Sequence, residues 1–133
     1  MREILFRGKR TDNGEWVKGF YVCIPDTHYI MTGKFDSLTN GIINSEAYKV
    51  DPSTIGQFTG LTDKNGVKIF EGDIVRYGDT IHSVVFEQRN GTAYFGLIYS
   101  PFETLPFGHY QDLKQIEVLG NIHDNPELLE VGE

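Results

Sequence analysis

The sequence predicts a small, mostly β protein: a barrel or sandwich built from short antiparallel hairpins, with a short C-terminal helical turn. The chain of 133 residues contains 15 Gly, 9 Phe and 7 Tyr, which are residues that favour tight turns and half-buried strands. Short apolar or alternating segments are separated by Asn-Gly and Pro signals, a pattern typical of hairpins. Long segments with helical apolar periodicity are absent from the sequence.

Length and composition indicate one domain over residues 1–133. Hydrophobic residues make up 39% and charged residues 23%, which is a globular composition. A chain of this length buries about two thirds of its unfolded surface, so it needs neither a metal nor a disulfide to fold. The single cysteine, Cys23, lies in an apolar run, and we interpret it as a small buried hydrophobic residue.

The N-terminal quarter predicts two strands around a turn. Arg2–Gly8 alternates, Thr11–Gly14 has turn composition, and Glu15–Ile24 forms a strong second strand. One face of that second strand carries four apolar residues and a lysine: Trp16, Lys18, Phe20, Val22 and Ile24. The other face carries Val17, Tyr21 and Cys23. A strand that is apolar on both faces lies between layers or at an interface.

The middle of the chain predicts further hairpins. Tyr29–Thr32 is a short third strand, Gly33–Gly41 an irregular loop and Ala47–Val50 a weak strand. Beyond the turn at Pro52, the pattern predicts five more strands: residues 54–61, 67–70, 74–77, 81–87 and 92–99. Two of the intervening turns carry Asn-Gly at the tip, at residues 65–66 and 90–91, which is a strong hairpin signal.

The C-terminal third begins with an aromatic, Pro-broken loop over Ser100–Asp112. Its candidate interaction residues are Phe102, Phe107, His109 and Tyr110. They either cap the core or form an exposed interaction surface, and both interpretations stay open. Ile116–Ile122 predicts the last strand. Asn125–Leu129 predicts a helix start, because Asn suits the N-cap and Pro the first helical position.

Three stretches of the sequence together resemble one known family. They are REILFR at residues 2–7, IGQFTGLTDKNGVKIFEGDIV at 55–75 and IEVLGNIHDNPELL at 116–129. In this order they are similar to the YopX family, small proteins encoded mainly by phages and prophages of bacteria. The resemblance implies a mostly β fold in a phage or prophage protein of the bacterial cytoplasm. It carries over no catalytic residue, cofactor or ligand.

The second of these stretches, residues 55–75, is called the central stretch. Its residues can also be explained physically as a structural framework that shapes the hairpins. Its characteristic residues are Gln57, Thr59, Gly60, Asp63, Asn65, Gly66, Glu71, Gly72 and Asp73. The glycines lie at or beside turns, and Asp63 and Asn65 are placed to bond the hairpin backbone. Glu71 and Asp73 are spaced like an acid–base pair, but the turn at Gly72 favours solvated turn residues. We expect a structural role for the whole set.

The sequence shows no pattern that predicts catalysis, a cofactor or a metal site. The histidines at 28, 82, 109 and 123 stand singly, whereas zinc sites use several convergent ligands with short spacings. Neither a phosphate-binding loop nor a Gly-x-Ser-x-Gly motif occurs. We therefore predict no catalytic, cofactor-binding or metal-binding residue.

Charge and hydropathy narrow the choice of partners. The formal net charge of −7 disfavours nucleic acid, and no segment predicts a secretory signal or a membrane span. We predict a cytoplasmic, non-catalytic module that binds a host or phage protein and forms a homo-oligomer. Two alternatives stay open: an enzyme whose site the sequence does not reveal, and a small β-barrel that binds nucleic acid through Tyr94, Tyr99, Arg76 and Arg89.

Overall fold

The computed structural model describes residues 3–36, 38, 41–89, 91–100, 103–107 and 113–131. The chain divides into two compact units, unit 1 (Met1–Phe58) and unit 2 (Thr59–Glu133). The described strands form two antiparallel sheets, which confirms the mostly β, hairpin-based prediction. None of the helices in the described residues has the length and hydropathy of a membrane-spanning segment.

As far as unit 1 is described, it consists of four antiparallel strands and the start of a fifth. They are β1 (Phe6–Lys9), β2 (Trp16–Ile24), β3 (Thr27–Asp36), β4 (Gly41–Lys49) and β5 (Gly56–Thr62), with a 3₁₀ turn at Pro52–Thr54. Their spatial order is β4-β3-β2-β1-β5. Ile30 and Val50 are buried on the sheet face that also carries Tyr21 and Tyr48.

Strands β3 and β4 are longer than the sequence predicts. The loop prediction for Gly33–Gly41 is wrong at both ends, since β3 continues to Asp36 and β4 starts at Gly41. The added residues pair with each other: Lys34 with Ile43, Phe35 with Ile42 and Asp36 with Gly41. Cross-strand pairing supplies backbone hydrogen bonds that single-strand propensity does not reveal.

The described part of unit 2 contains the end of β5 and six further strands. These are β6 (Lys68–Phe70), β7 (Asp73–Tyr77), β8 (Thr80–Arg89), β9 (Thr92–Ser100), β10 (Glu103–Pro106) and β11 (Ile116–Asn121). Strand β6 lies beside β5, and the other five form a sheet in the order β10-β9-β8-β7-β11. The core contains five almost fully buried residues: Ile69, Val75, Val84, Leu97 and Ile116.

Neither sheet closes into a barrel, so the barrel prediction is wrong. A barrel requires the two end strands of one sheet to pair with each other. In the five-stranded sheet the end strands are β10 and β11, and the described residues show no ladder between them. The hairpins that the sequence predicts therefore form open sheets.

The C-terminal helix differs from the prediction for Asn125–Leu129. The side-chain oxygen of Asn125 accepts a hydrogen bond from the Asn121 N–H, at 3.3 Å, so it points back along the chain and does not cap a helix. Within the described residues the helix spans only Leu128–Val131, α1. The expected N-cap at Asn125 is thus replaced by a turn that follows β11.

Candidate functional site

One face of the unit 1 sheet combines apolar and basic side chains. Strand register places Phe20 opposite Met31 and Val22 opposite Tyr29, while Lys49 lies opposite Tyr29 on the next strand. Because side chains alternate between the two faces of a strand, these residues share one face with every second neighbour. We call it the basic–apolar face: Arg7, Lys9, Trp16, Lys18, Phe20, Val22, Ile24, Tyr29, Met31, Ala47 and Lys49.

The centre of the basic–apolar face is apolar and open to solvent. Phe20 is 54% exposed and Ile24 is 61% exposed, high values for large hydrophobic side chains in the middle and at the end of a strand. Beside them lies an open hollow of about 430 Å³, lined by Val22, Ile24, Tyr29, Met31 and Ala47. Contiguous exposed apolar surface of this kind marks binding sites.

The charged strand residues of this face are basic. As far as the side chains of β1 to β4 are described, the charged members of the face are Arg7, Lys9, Lys18 and Lys49. The Arg7 guanidinium carbon lies 4.8 Å from the Trp16 ring centre and the Lys9 ammonium 5.7 Å, within cation–π range. Glu3 lies at the border, in a hollow that Lys18 and Phe20 also line.

The opposite face of β2 and β3 brings together Tyr21, Cys23 and His28. The Tyr21 hydroxyl lies 2.6 Å from His28 Nδ1, and Cys23 lies opposite His28 in the strand register. Partial burial and the neighbouring Cys23 thiol raise the pKa of Tyr21. Cys23 is exposed, so its interpretation as a buried residue is wrong: it occurs near the end of β2, where packing ends.

The Asp63 carboxylate organises the hairpin between β5 and β6. Its Oδ1 accepts hydrogen bonds from the Asn65 and Val67 N–H groups at 2.8 and 2.9 Å, and its Oδ2 accepts one from the Val118 N–H at 2.9 Å. The residue is only 6% exposed. Burial acts to raise the pKa of Asp63, but the three N–H donors outweigh it and the net pKa is lowered.

Thr59 and Asp73, two more residues of the central stretch, also bond backbone groups. Thr59 Oγ1 donates to the Ile69 carbonyl at 2.8 Å, and Asp73 Oδ2 accepts from the Phe70 N–H at 2.7 Å. Asp73 is 2% exposed, so its interpretation as a solvated turn residue is wrong: the tight turn before β7 places its carboxylate over a backbone donor.

The remaining residues of the central stretch lie in strands and turns of the two hairpins. Gly60, Gly66 and Gly72 all have positive φ, at 90°, 80° and 92°, which side chains other than glycine rarely adopt. Gln57 and Glu71 are half-buried. Among the described residues, no three His, Cys, Asp or Glu side chains are grouped to hold a metal ion.

A family model described as YopX protein matches residues 5–130. The chain belongs to the YopX family. This YopX chain is also similar to protein EF1440 from Enterococcus faecalis, known from a crystal structure, with 27% sequence identity and a TM-score of 0.53. The similarity covers 97% of the present chain and 99% of EF1440. No curated protein matches the chain.

The aromatic loop of this YopX chain is only partly described. Phe102, His109 and Tyr110 lie outside the described residues. Phe107 is half-buried and packs against the core of unit 2, and its N–H donates to the Phe95 carbonyl. Of the four candidate interaction residues, the one that is described contributes to packing.

Among the described residues of the nucleic-acid alternative, the two tyrosines do not share a face. Tyr94 and Tyr99 are five positions apart on β9 and therefore point to opposite faces. The Tyr94 hydroxyl donates to the Thr104 carbonyl, and the Tyr99 ring packs 4.2 Å from the ring of His82. Arg76 lies 3.6 Å from the Glu117 carboxylate. The side chain of Arg89 lies outside the described part of the chain.

The basic–apolar face was the surface that sequence reasoning missed. The alternation of β2 already places Trp16, Lys18 and Phe20 on one side. What the sequence does not contain is the register of β2 with β1 and β3, which adds Arg7 and Tyr29 to the same face. Register across strands depends on contacts between segments and not on one segment's pattern.

Proposed function

We propose that this YopX-family chain is a non-catalytic protein-binding module of a phage or prophage, acting in the bacterial cytoplasm through its basic–apolar face. The observation that carries the proposal is the exposure of Phe20 and Ile24, which are both more than half open to solvent beside an apolar hollow. Covering such a surface with a partner removes apolar area from water. We further propose that residues 1–133 work as one functional domain, since one family model spans both units.

The hydrogen bonds of the central stretch support a framework role for it. The carboxylates of Asp63 and Asp73 accept backbone N–H groups, and the Thr59 hydroxyl is engaged with the Ile69 carbonyl. These side chains use hydrogen-bonding atoms to hold the backbone of turns and strands. A catalytic acid or base must instead exchange its proton with a substrate. The binding surface that we propose lies instead on the side chains of β2, β3 and β4.

Site-specific photocrosslinking tests the protein-binding proposal. A photoreactive phenylalanine analogue is placed at Phe20 in a cell that carries the prophage, and crosslinked proteins are identified by mass spectrometry. The matched control places it at Val67, which is 48% exposed at the tip of the β5–β6 hairpin. We expect a defined protein partner from position 20 and none from position 67. Equal, diffuse crosslinking from both positions would exclude the face as a specific site.

A second candidate function is the binding of single-stranded nucleic acid at the same face. Trp16, Phe20 and Tyr29 are aromatic, and four basic residues accompany them on the face; stacking and phosphate contacts are the means by which β-sheets bind single strands. Fluorescence anisotropy with a labelled oligonucleotide tests it. Binding at low salt that weakens steeply with added salt and in a Lys18→Glu/Lys49→Glu variant would support it.

A further inference from the structure

We propose that the partner of the basic–apolar face is a second copy of this chain, which docks with an acidic and apolar segment that follows β11. We call this the acidic–apolar segment: Ile122, Asp124, Glu127 and Leu129. The inference rests on the proposed protein-binding function and assigns its partner.

The two units differ sharply in charge. Unit 1 contains seven basic and seven acidic residues and is therefore neutral, whereas unit 2 contains five basic and twelve acidic residues. The whole net charge of −7 therefore resides in unit 2. Within unit 1, basic residues gather on the exposed face, where the strand positions carry Arg7, Lys9, Lys18 and Lys49. Each copy thus offers both a basic surface and an acidic one, and complementary surfaces favour association.

The acidic–apolar segment matches the face in composition. Ile122 is 38% exposed and Leu129 is 39% exposed, and the intervening Asp124 and Glu127 are exposed as well. The segment therefore offers two apolar side chains with carboxylates between them. The face offers the converse arrangement, because Lys18 precedes the apolar Phe20, Val22 and Ile24 on β2, and Lys49 lies beyond Tyr29 on β4.

The acidic–apolar segment has a fixed shape. The Ile122 N–H donates to the Gly72 carbonyl at 2.9 Å, and the Asn125 N–H donates to the Asn121 carbonyl at 2.8 Å. The Asn121 side-chain amide also donates to Asp124 Oδ2 at 3.2 Å. A segment held in this way loses little conformational entropy on docking, which favours binding.

The contact joins two different surfaces of the chain. Such heterologous contacts give a closed assembly when the rotation between copies closes, and open growth when it does not. In a closed assembly every face is covered by the segment of another copy. The proposal therefore predicts a mass above that of the monomer: a defined multiple of it for a closed assembly, or a mass that rises with concentration for open growth.

Sedimentation velocity on the full chain over a dilution series tests the proposal with reversed charges. We expect the wild-type protein to sediment as a multiple of the monomer. Lys18→Glu/Lys49→Glu changes the face, and Asp124→Lys/Glu127→Lys changes the segment; each should weaken association about tenfold or more, because attraction becomes repulsion. Combining all four substitutions in one chain restores opposite charges and should recover most of the affinity.

Two controls and one apolar variant complete the experiment. Lys64→Glu and Asp79→Lys change charge at exposed positions of unit 2 outside the segment and should leave association within about twofold of wild type. Phe20→Glu removes an apolar anchor and should weaken association about 10- to 100-fold. Circular dichroism establishes that each variant is folded.

The outcomes separate this inference from the proposed function. A wild-type chain that stays monomeric at every concentration, while position 20 crosslinks to a different protein, overturns the second-copy proposal and leaves protein binding intact. Self-association that neither charge reversal weakens also overturns it. A monomer that binds the labelled oligonucleotide through Lys18 and Lys49, without protein crosslinks from position 20, overturns both.

Discussion

At the scale of single residues, Asp63 connects distant parts of unit 2. Its carboxylate joins the turn after β5 to the Val118 N–H, 55 positions away in sequence. The sequence indicates the local bonds of this aspartate, because Asp in an Asn-Gly hairpin commonly bonds its own turn. The sequence does not indicate the bond to β11, which depends on how distant strands pack.

Replacing Asp63 by asparagine should destabilise the protein by about 1–3 kcal/mol. The amide keeps one acceptor oxygen, but its NH₂ group would face a backbone N–H that the carboxylate now satisfies. Urea unfolding at neutral pH measures the change. Asp79→Asn, in an exposed turn, is the matched control and should stay within about 0.5 kcal/mol of wild type. Equal stability of the two variants would mean that the buried carboxylate contributes nothing.

Acid should remove the advantage of Asp63 over the asparagine variant. The pKa of Asp63 is lowered in the folded protein from its ordinary value of 3.8, so the folded state binds its proton less readily than the unfolded state. Its contribution to stability is complete above the unfolded pKa and is lost as pH falls through the folded pKa. Unfolding free energies measured from neutral pH to about pH 3 should therefore converge for wild type and Asp63→Asn. A gap that widens with acid would contradict this sign.

At the scale of secondary-structure elements, the sequence predicts the tight hairpins best. The Asn65-Gly66 turn forms as expected, with Gly66 at φ 80°, because turn chemistry is local. The sequence does not predict the β3–β4 hairpin beyond Thr32, because the added residues lack a sustained alternation of apolar and polar side chains. Their strand conformation comes from the neighbouring strand, which the sequence of either segment alone does not specify.

Gly19 shows how closely β2 and β3 approach. A Cβ at this position would meet the Met31 carbonyl, with its carbon 2.9 Å away, and backbone cannot move aside without disturbing the β2–β3 pairing. Gly19→Ala should therefore cost about 1–3 kcal/mol in urea unfolding and reduce hydrogen-exchange protection in β2 and β3. Gly120→Ala is the comparison, because its Cβ would meet a side chain, that of Asn125, which can move aside by giving up its long 3.3 Å hydrogen bond from the Asn121 N–H. A smaller loss for Gly19→Ala than for Gly120→Ala would contradict this account.

At the scale of the whole molecule, the decisive property is where the charge lies. The net charge of −7, summed over the whole chain, argues against anionic partners. Once the strands are assigned, the same residues divide into a neutral unit 1 with a basic sheet face and an acidic unit 2. The sequence contains every charge, but the face on which each one lies follows from the register of the strands.

Salt should weaken self-association without abolishing it. The screening length falls from about 10 Å at 0.1 M salt to about 3 Å at 1 M, so the attraction between Lys18 or Lys49 and the carboxylates of the acidic–apolar segment is largely screened. Contacts made by Phe20 and Ile24 do not depend on charge and should persist. We expect the dissociation constant from sedimentation to rise up to about tenfold over this range. In Lys18→Glu/Lys49→Glu the same salt should strengthen association, because it screens repulsion. A wild-type affinity that increases with salt would show that apolar contact alone drives assembly.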